Sequence, residues 1–229
     1  MSKTITKPFS QRLFEKVQPI WQKSHNHPFV QGIGKGTLDR EKFVHYMKQD
    51  YVYLIDYSKL FAVGVQKAHN LETMNRFSKV LHDTLHFEMD LHREFAAEFG
   101  ITNEELEATE PTPVNYAYTR YMLTVAQNGT LADVVAAILP CAWDYWEIGK
   151  LLNKQYGDQI ENNPYRKWIK TYDSDEFAAG AKYLIQLLDE LTDGLPEREL
   201  AIIEKHFQMT SKYEYLFWDM NYKQEGWPL

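Results

Sequence analysis

The sequence predicts an all-α fold, and three features carry that reading. Apolar residues recur at steps of three and four through long segments, strand-like alternation is almost absent, and the long segments are bounded by residues that start and stop helices. Helices are expected over residues 9–24, 39–68, 70–99, 103–108, 113–127, 130–156, 164–171, 174–192 and 196–222. No Pro/Ser/Gly-rich or single-charge stretch separates two apolar blocks, and no internal repeat is present. A single domain over 1–229 is therefore expected, with 44% hydrophobic and 14% aromatic residues enough to build one sizeable core.

In chain order, the first helix is followed by the glycines of Gln31-Gly-Ile-Gly-Lys-Gly36, which read as a break. A phosphate-binding loop is disfavoured there, because neither a preceding strand nor the Lys-Ser/Thr ending is present. The second helix carries the inward stripe Phe43, Tyr46, Asp50, Tyr53, Tyr57, Leu60 and Gly64. An aspartate in that stripe must be paired or hydrogen-bonded, either as part of a structural network or as a functional group. The segment 70–99 bears His82, Asp83, His86, Glu88 and His92 at helical spacing. The short 103–108 helix ends before the turn Glu110-Pro-Thr-Pro113, and the next helix offers Val114, Tyr118, Tyr121 and Val125 up to the Asn128-Gly129 stop.

The helix from residue 130 presents Val134, Ile138, Cys141, Tyr145, Ile148 and Leu152 on one face, so Cys141 points inward. Pro140 removes a hydrogen bond from that helix and frees the Ala136 carbonyl, so a kink is expected beside the cysteine. Taken alone, a buried cysteine is more often an inert small hydrophobe than a nucleophile. The Pro164 helix ends with Trp168 and Tyr172, and the next is stopped by Asp193-Gly194-Leu-Pro196. The last helix aligns Leu200, Ile203, Phe207, Thr210, Glu214 and Phe217, which sets Glu214 among aromatics. Desolvation there favours its acid form, the direction useful to a general acid, although an acid at the rim of the core bonded to a tyrosine is an equally simple reading.

Charge and cysteine content exclude whole classes of function. With 25 Lys+Arg against 32 Asp+Glu the formal charge is -7, which lacks the basic excess that phosphate-backbone binding needs, so no nucleic-acid partner is expected. Lys3, Lys7, Arg12, Glu15 and Lys16 interrupt the first twenty residues, and no apolar run reaches membrane-spanning length. A soluble, cytoplasmic protein without a membrane partner is expected. One cysteine cannot form an intrachain disulfide, which suits a reducing compartment and leaves Cys141 for chemistry or packing. The 15 tyrosines can simply fill a core, or can wall a pocket for a flat heteroaromatic ring.

Several ordered blocks add a resemblance: His27-Pro-Phe-Val-Gln-Gly-Ile-Gly34, Gln49-Asp50-Tyr51, Leu139-Pro-Cys141 with Tyr145 and Glu147-Ile-Gly149, and Tyr213-Glu-Tyr-Leu-Phe-Trp218 with Glu225-Gly-Trp227. From about residue 9 to Trp227 the chain resembles the TenA family, also called thiaminase II. The resemblance implies a haem-oxygenase-like helical bundle without haem, assembled as a homotetramer. It also implies a hydrolase that converts 4-amino-5-aminomethyl-2-methylpyrimidine to the 5-hydroxymethyl compound and cleaves thiamine more slowly. Matched motif by motif, it puts the nucleophile on Cys141, the acid/base on Glu214 and the substrate-amine-binding aspartate on Asp50. The pocket tyrosines fall on Tyr53, Tyr118, Tyr145 and Tyr172, and Glu147 joins the binding site as an accessory member.

Neither cofactor nor metal is expected. Di-iron bundles need a repeated Glu-x-x-His motif that the segment 82–92 does not supply, so its plain reading is a solvated face. Haem ligation by His25 or His27 is likewise disfavoured. The alternative from another class is a non-catalytic aminopyrimidine-binding or regulatory protein.

Overall fold

Among residues 7–228, seven of the α-helix starts, all but those at Phe9, Met89, Arg166 and Glu197, are marked by side chains that accept the first free backbone N–H groups. The computed structural model describes residues 7–228; residues 1–6 and 229 of the expected domain, Lys3 among them, lie outside the described residues. Every regular element among the described residues is helical. They are α1 (Phe9–His25), α2 (Pro28–Lys35), α3 (Arg40–Lys67), α4 (Leu71–Asp83), a π-helical turn (Thr84–Glu88), α5 (Met89–Glu98), α6 (Asn103–Glu107), α7 (Pro113–Asn128), α8 (Leu131–Tyr156), a 3-10 turn (Gly157–Asn162), α9 (Arg166–Tyr172), α10 (Asp175–Thr192) and α11 (Glu197–Lys223). Asp39, Asn70, Thr112 and Ser174 cap α3, α4, α7 and α10, while Thr102 and Thr130 open α6 and α8 with reciprocal capping boxes.

α2 replaces the break expected at the glycines. The His27 ring accepts the Phe29 N–H at 3.2 Å, Pro28 takes the first helical position, and Gly36 ends the helix at φ 69°. Each interior glycine costs about 1 kcal/mol in a helix. Burial of Phe29, Val30 and Ile33, each fully enclosed, returns roughly 1.5–3 kcal/mol apiece and wins. Gly34 is required by contact, because a Cβ there would run into the ring of Tyr156.

The segment 70–99 is not one helix either, since the π-helical turn divides it. Phe77 on α4 and Met89 on α5 are both buried. Twelve residues of regular α-helix would leave them about 120° out of phase; a π turn absorbs one residue and brings them to within roughly 20°.

α8 runs through the middle of the bundle, uninterrupted at Pro140, and packs against α10, α11, α7, α9 and α3. Its first ten residues are all buried. α11 lies along α8, α1, α7 and α3. The short α9 is seated by Asn163, whose amide donates to the Ile33 and Gly34 carbonyls at 2.8 and 2.9 Å while its oxygen accepts the Tyr165 N–H at 2.8 Å. α9 also meets α8 at Gly149, where a Cβ would sit 2.5 Å from the Tyr172 carbonyl carbon. That close approach sets the position of Tyr172. No helix among the described residues is long and apolar enough to cross a membrane.

Candidate active site

The inward stripes of α3, α8 and α11 meet. Asp50, Tyr53, Tyr57, Tyr145, Glu214 and Phe217 are all buried, while Cys141 and Tyr172 are half-buried. Cys141 and Tyr172 keep accessible surface among these buried side chains, which marks a hollow beside them.

Two groups of aromatic rings wall it. On one side Tyr53 packs against Tyr57, Tyr118 and Phe217, with ring centroids 5.3, 5.4 and 5.6 Å apart. On the other, Tyr145 packs against Tyr172 and Trp218 at 4.8 and 4.9 Å, and Trp168 closes on Tyr172 at 4.6 Å. Flat faces with hydroxyls at their edges suit a planar ring bearing nitrogens.

Glu214 receives the Tyr118 hydroxyl at 2.5 Å. Burial pushes its carboxyl up to about 8, against the pull of that hydrogen bond and with the negative charges of Asp144 and Asp50 adding to the rise. It therefore holds its proton at neutral pH. Burial pushes Asp50 up to about 7, opposed by a hydrogen bond from Tyr46. The Cys141 thiol is driven well above its ordinary value by burial first and by the charge of Glu214 next. The hydroxyls of Tyr53 and Tyr57, within hydrogen-bonding reach, pull the other way. Tyr57 also donates to the Ile138 carbonyl at 3.1 Å, one turn before the cysteine. Three groups thus share one hollow: a thiol needing help to ionise, a proton-bearing acid, and a carboxyl balanced near neutrality.

Glu147 is not brought to this hollow. Its carboxylate accepts from the Trp143 indole at 3.3 Å and from Lys150 at 2.8 Å, on another face of α8. Two neighbours of Asp50 escaped the sequence reading of the site. Tyr46, one turn before Asp50 on the inward stripe of α3, bonds Asp50 and accepts the Trp168 indole N–H at 3.1 Å. His92 departs from the solvated face expected of the 82–92 segment, because it is buried and its Nε2 donates to the Met47 carbonyl at 2.7 Å. Burial lowers it to about 4, so it is neutral, with Nδ1 lying 3.7 Å from the Asp50 carboxylate. The rings of His82 and His86 stack on the exposed side, 4.2 Å apart. Among the described residues no three metal-competent side chains converge.

Fold and site together define a helical bundle of haem-oxygenase-like architecture whose interior carries a thiol and buried carboxyls. A protein from Shewanella denitrificans OS217 with a haem-oxygenase-like fold shares the architecture at a TM-score of 0.74 and 15% identity, over 93% of this chain and 92% of that one. The chain belongs to the TENA/THI-4/PQQC family, whose model matches residues 14–224. An aminopyrimidine aminohydrolase of Halalkalibacterium halodurans is 54% identical over 96% of this chain and 97% of its own length. A TenA homologue from P. horikoshii OT3 superposes at a TM-score of 0.86 with 30% identity, covering 95% and 99% of the two chains. A TenA family transcription regulator from Silicibacter sp. TM1040 does so at 0.86 with 34% identity, covering 97% and 99%.

Proposed function

We propose that the protein is an aminopyrimidine aminohydrolase of thiamine salvage. It hydrolyses 4-amino-5-aminomethyl-2-methylpyrimidine to the 5-hydroxymethyl compound and ammonia, and more slowly cleaves thiamine to the same hydroxymethylpyrimidine and the thiazole. The observation that carries this reading is the meeting of Cys141, Glu214 and Asp50 at one tyrosine-walled hollow. The 54% identical aminohydrolase supports the substrate class.

The chemistry follows from the state of each group. Asp50, balanced near 7, is matched to accept a proton at neutral pH, and the Cys141 thiol supplies it. The sulfur then forms a bond to the unsubstituted ring carbon beside the one bearing the aminomethyl arm, while Glu214 protonates the adjacent ring nitrogen. Tyr53 stabilises the thiolate by hydrogen bonding, while the Tyr57 proton is held by the Ile138 carbonyl. Electrons return through the ring, the exocyclic C–N bond of the protonated aminomethyl arm breaks, and ammonia leaves. Water adds to the exposed methylene and gives its proton to the departing ammonia; the C–S bond then breaks, the ring-nitrogen proton returns to Glu214, the thiolate takes back the proton held by Asp50, and the ring recovers its aromaticity. Asp50 also accepts from the 4-amino group, which fixes the ring between the tyrosine walls of Tyr53, Tyr118, Tyr145 and Tyr172. Two carboxyls driven apart in role by their surroundings give one acid and one base in a single pocket.

The test is ammonia release by the purified protein, with the aminomethyl pyrimidine and thiamine compared as substrates. Pyrimidine binding without release of ammonia or thiazole would overturn the reading in favour of a binding or regulatory protein, the role named for the Silicibacter relative. The same reading places the protein in the reducing cytoplasm, without a nucleic-acid partner, as a homotetramer. Leu71 and Leu91, 69% and 63% exposed, are apolar surface available for burial between subunits, and light scattering at the mass of one chain would refute the assembly.

A further inference from the structure

A third carboxyl lies inside the bundle and has no part in that chemistry. Asp144, on α8 three residues past Cys141, is fully buried. One of its oxygens is hydrogen-bonded to Nε2 of His25 at 2.7 Å, and the other has no partner. A buried carboxyl with an orphaned oxygen costs stability, so its presence calls for a role. His25 ends α1 with its side chain 21% exposed, which gives Asp144 a path to solvent.

The layering of α1 against α11 locates this pair. Below it, Trp21 meets Phe207 at 6.1 Å and Trp143 at 5.6 Å; above it, His27 meets Tyr215 at 5.6 Å. Between those levels lie Ser24, His25, Asp144 and Ser211, and the Ser24 and Ser211 hydroxyls are also buried without partners. Glu214 is the next residue of α11 toward the hollow on the same side, one turn beyond Ser211.

We infer that Asp144, held by His25, is a positioning residue for Glu214: a second carboxyl behind the pocket wall that fixes how tightly Glu214 keeps its proton and joins that region to solvent. Burial raises the Asp144 carboxyl and the hydrogen bond from His25 opposes that rise; when ionised, Asp144 acts on Glu214 in the direction that retains the proton. Other groups face the same acid. Tyr118 reaches it from α7, Asp50, Tyr53 and Tyr57 from α3, and Cys141 and Tyr145 from α8. Asp144 itself is faced by His25 from α1 and by Glu147 along α8. His27, at the start of α2, is turned to Asp219 at 3.6 Å, and Tyr172 of α9 to Tyr46 and Asp50.

The inference rests on the hydrolase reading only for its kinetic consequence, so the test uses two readouts on the full chain. The first is a carbon-13 NMR titration of labelled glutamate carboxyls, with Glu214 assigned by its loss in Glu214→Gln. The second is the pH profile of ammonia release. Asp144→Asn keeps the size and the hydrogen bond to His25 but removes the charge. It is expected to lower the Glu214 midpoint by roughly 0.5–1.5 pH units, and the basic limb of the rate profile with it. His25→Ala, which removes the hydrogen bond that favours the ionised form of Asp144, shifts both in the same direction by less and carries the test if Asp144→Asn does not fold. A Glu214 midpoint unmoved in the folded variants, even with a lower Tm, overturns the inference. A moved midpoint in a protein that releases no ammonia leaves the inference standing and rejects the hydrolase reading.

Discussion

Removing the Tyr118 hydroxyl gives the sharpest test of Glu214 as a general acid. In Tyr118→Phe the 2.5 Å hydrogen bond to the Glu214 carboxyl is lost while the ring, stacked on Tyr213 at 5.1 Å, stays. Hydrogen bonds to charged groups contribute about 1.5–3 kcal/mol, and one pKa unit corresponds to about 1.36 kcal/mol, so the ionised form should lose roughly 1–2 units of support. Glu214, already pushed up to about 8, moves higher. The sign is fixed by the role: an acid must carry its proton, so activity lost as pH rises through about 8 in the parent should persist roughly 1–2 units further in the variant. Ammonia release from the aminomethyl pyrimidine, measured as kcat from pH 6 to about 10.5, reads this directly. A basic limb that stays in place, or moves to lower pH, refutes the assignment of that limb to Glu214.

Other expectations follow from the same geometry. Cys141→Ser should bind the pyrimidine within about threefold of the parent by calorimetry yet lose nearly all turnover, and near-normal turnover would exclude the covalent route. Asp50→Asn should remove the acid limb near pH 7, where Asp50 must ionise to take the thiol proton; an acid limb retained there would point to another base. Glu214→Gln should lower turnover by roughly 10²–10⁴. It should also stabilise the protein at alkaline pH. A carboxyl raised from 4.5 to about 8 holds a proton in the folded state that the unfolded chain has released, so stability falls as pH rises between those values. The variant's Tm should match the parent's near pH 4 and exceed it at pH 8, and an equal difference at both would contradict that linkage. Gly149→Ala drives a Cβ to 2.5 Å from the Tyr172 carbonyl carbon, so the end of α9 must shift. A stability loss of about 1–3 kcal/mol and a raised KM are expected, and an unchanged melting temperature would refute the contact.

What could be read in advance divides by physical cause. The stripes of α3, α8 and α11 were legible because helical periodicity reports which side of a helix is buried, and Phe43 through Gly64 follow it without exception. α2 was hidden because glycine reads as a breaker, although His27 followed by Pro28 is an N-terminal signal that could have revealed it. The π-helical turn was invisible, since one absorbed residue leaves only a phase change between Phe77 and Met89. At the site, one chain's periodicity sorts residues by face but not by depth or partner. Hence Glu147 fell outside the hollow, while His92, grouped with surface histidines, came to lie beside Asp50. The pairing of His25 with Asp144 crosses 119 residues, and no local pattern encodes it.

The arrangement of α8 and α11 also bears on how the molecule comes into being. The cysteine emerges from the ribosome some seventy residues ahead of the acid that completes its surroundings, and domains are built from the N-terminal end during synthesis. In the folded protein α11 packs along α8 and Glu214 lies beside the sulfur, so a chain in which α11 has not yet docked lacks that neighbour of the thiol. Docking of α11 therefore completes the cover over the thiol as well as bringing Glu214 beside it.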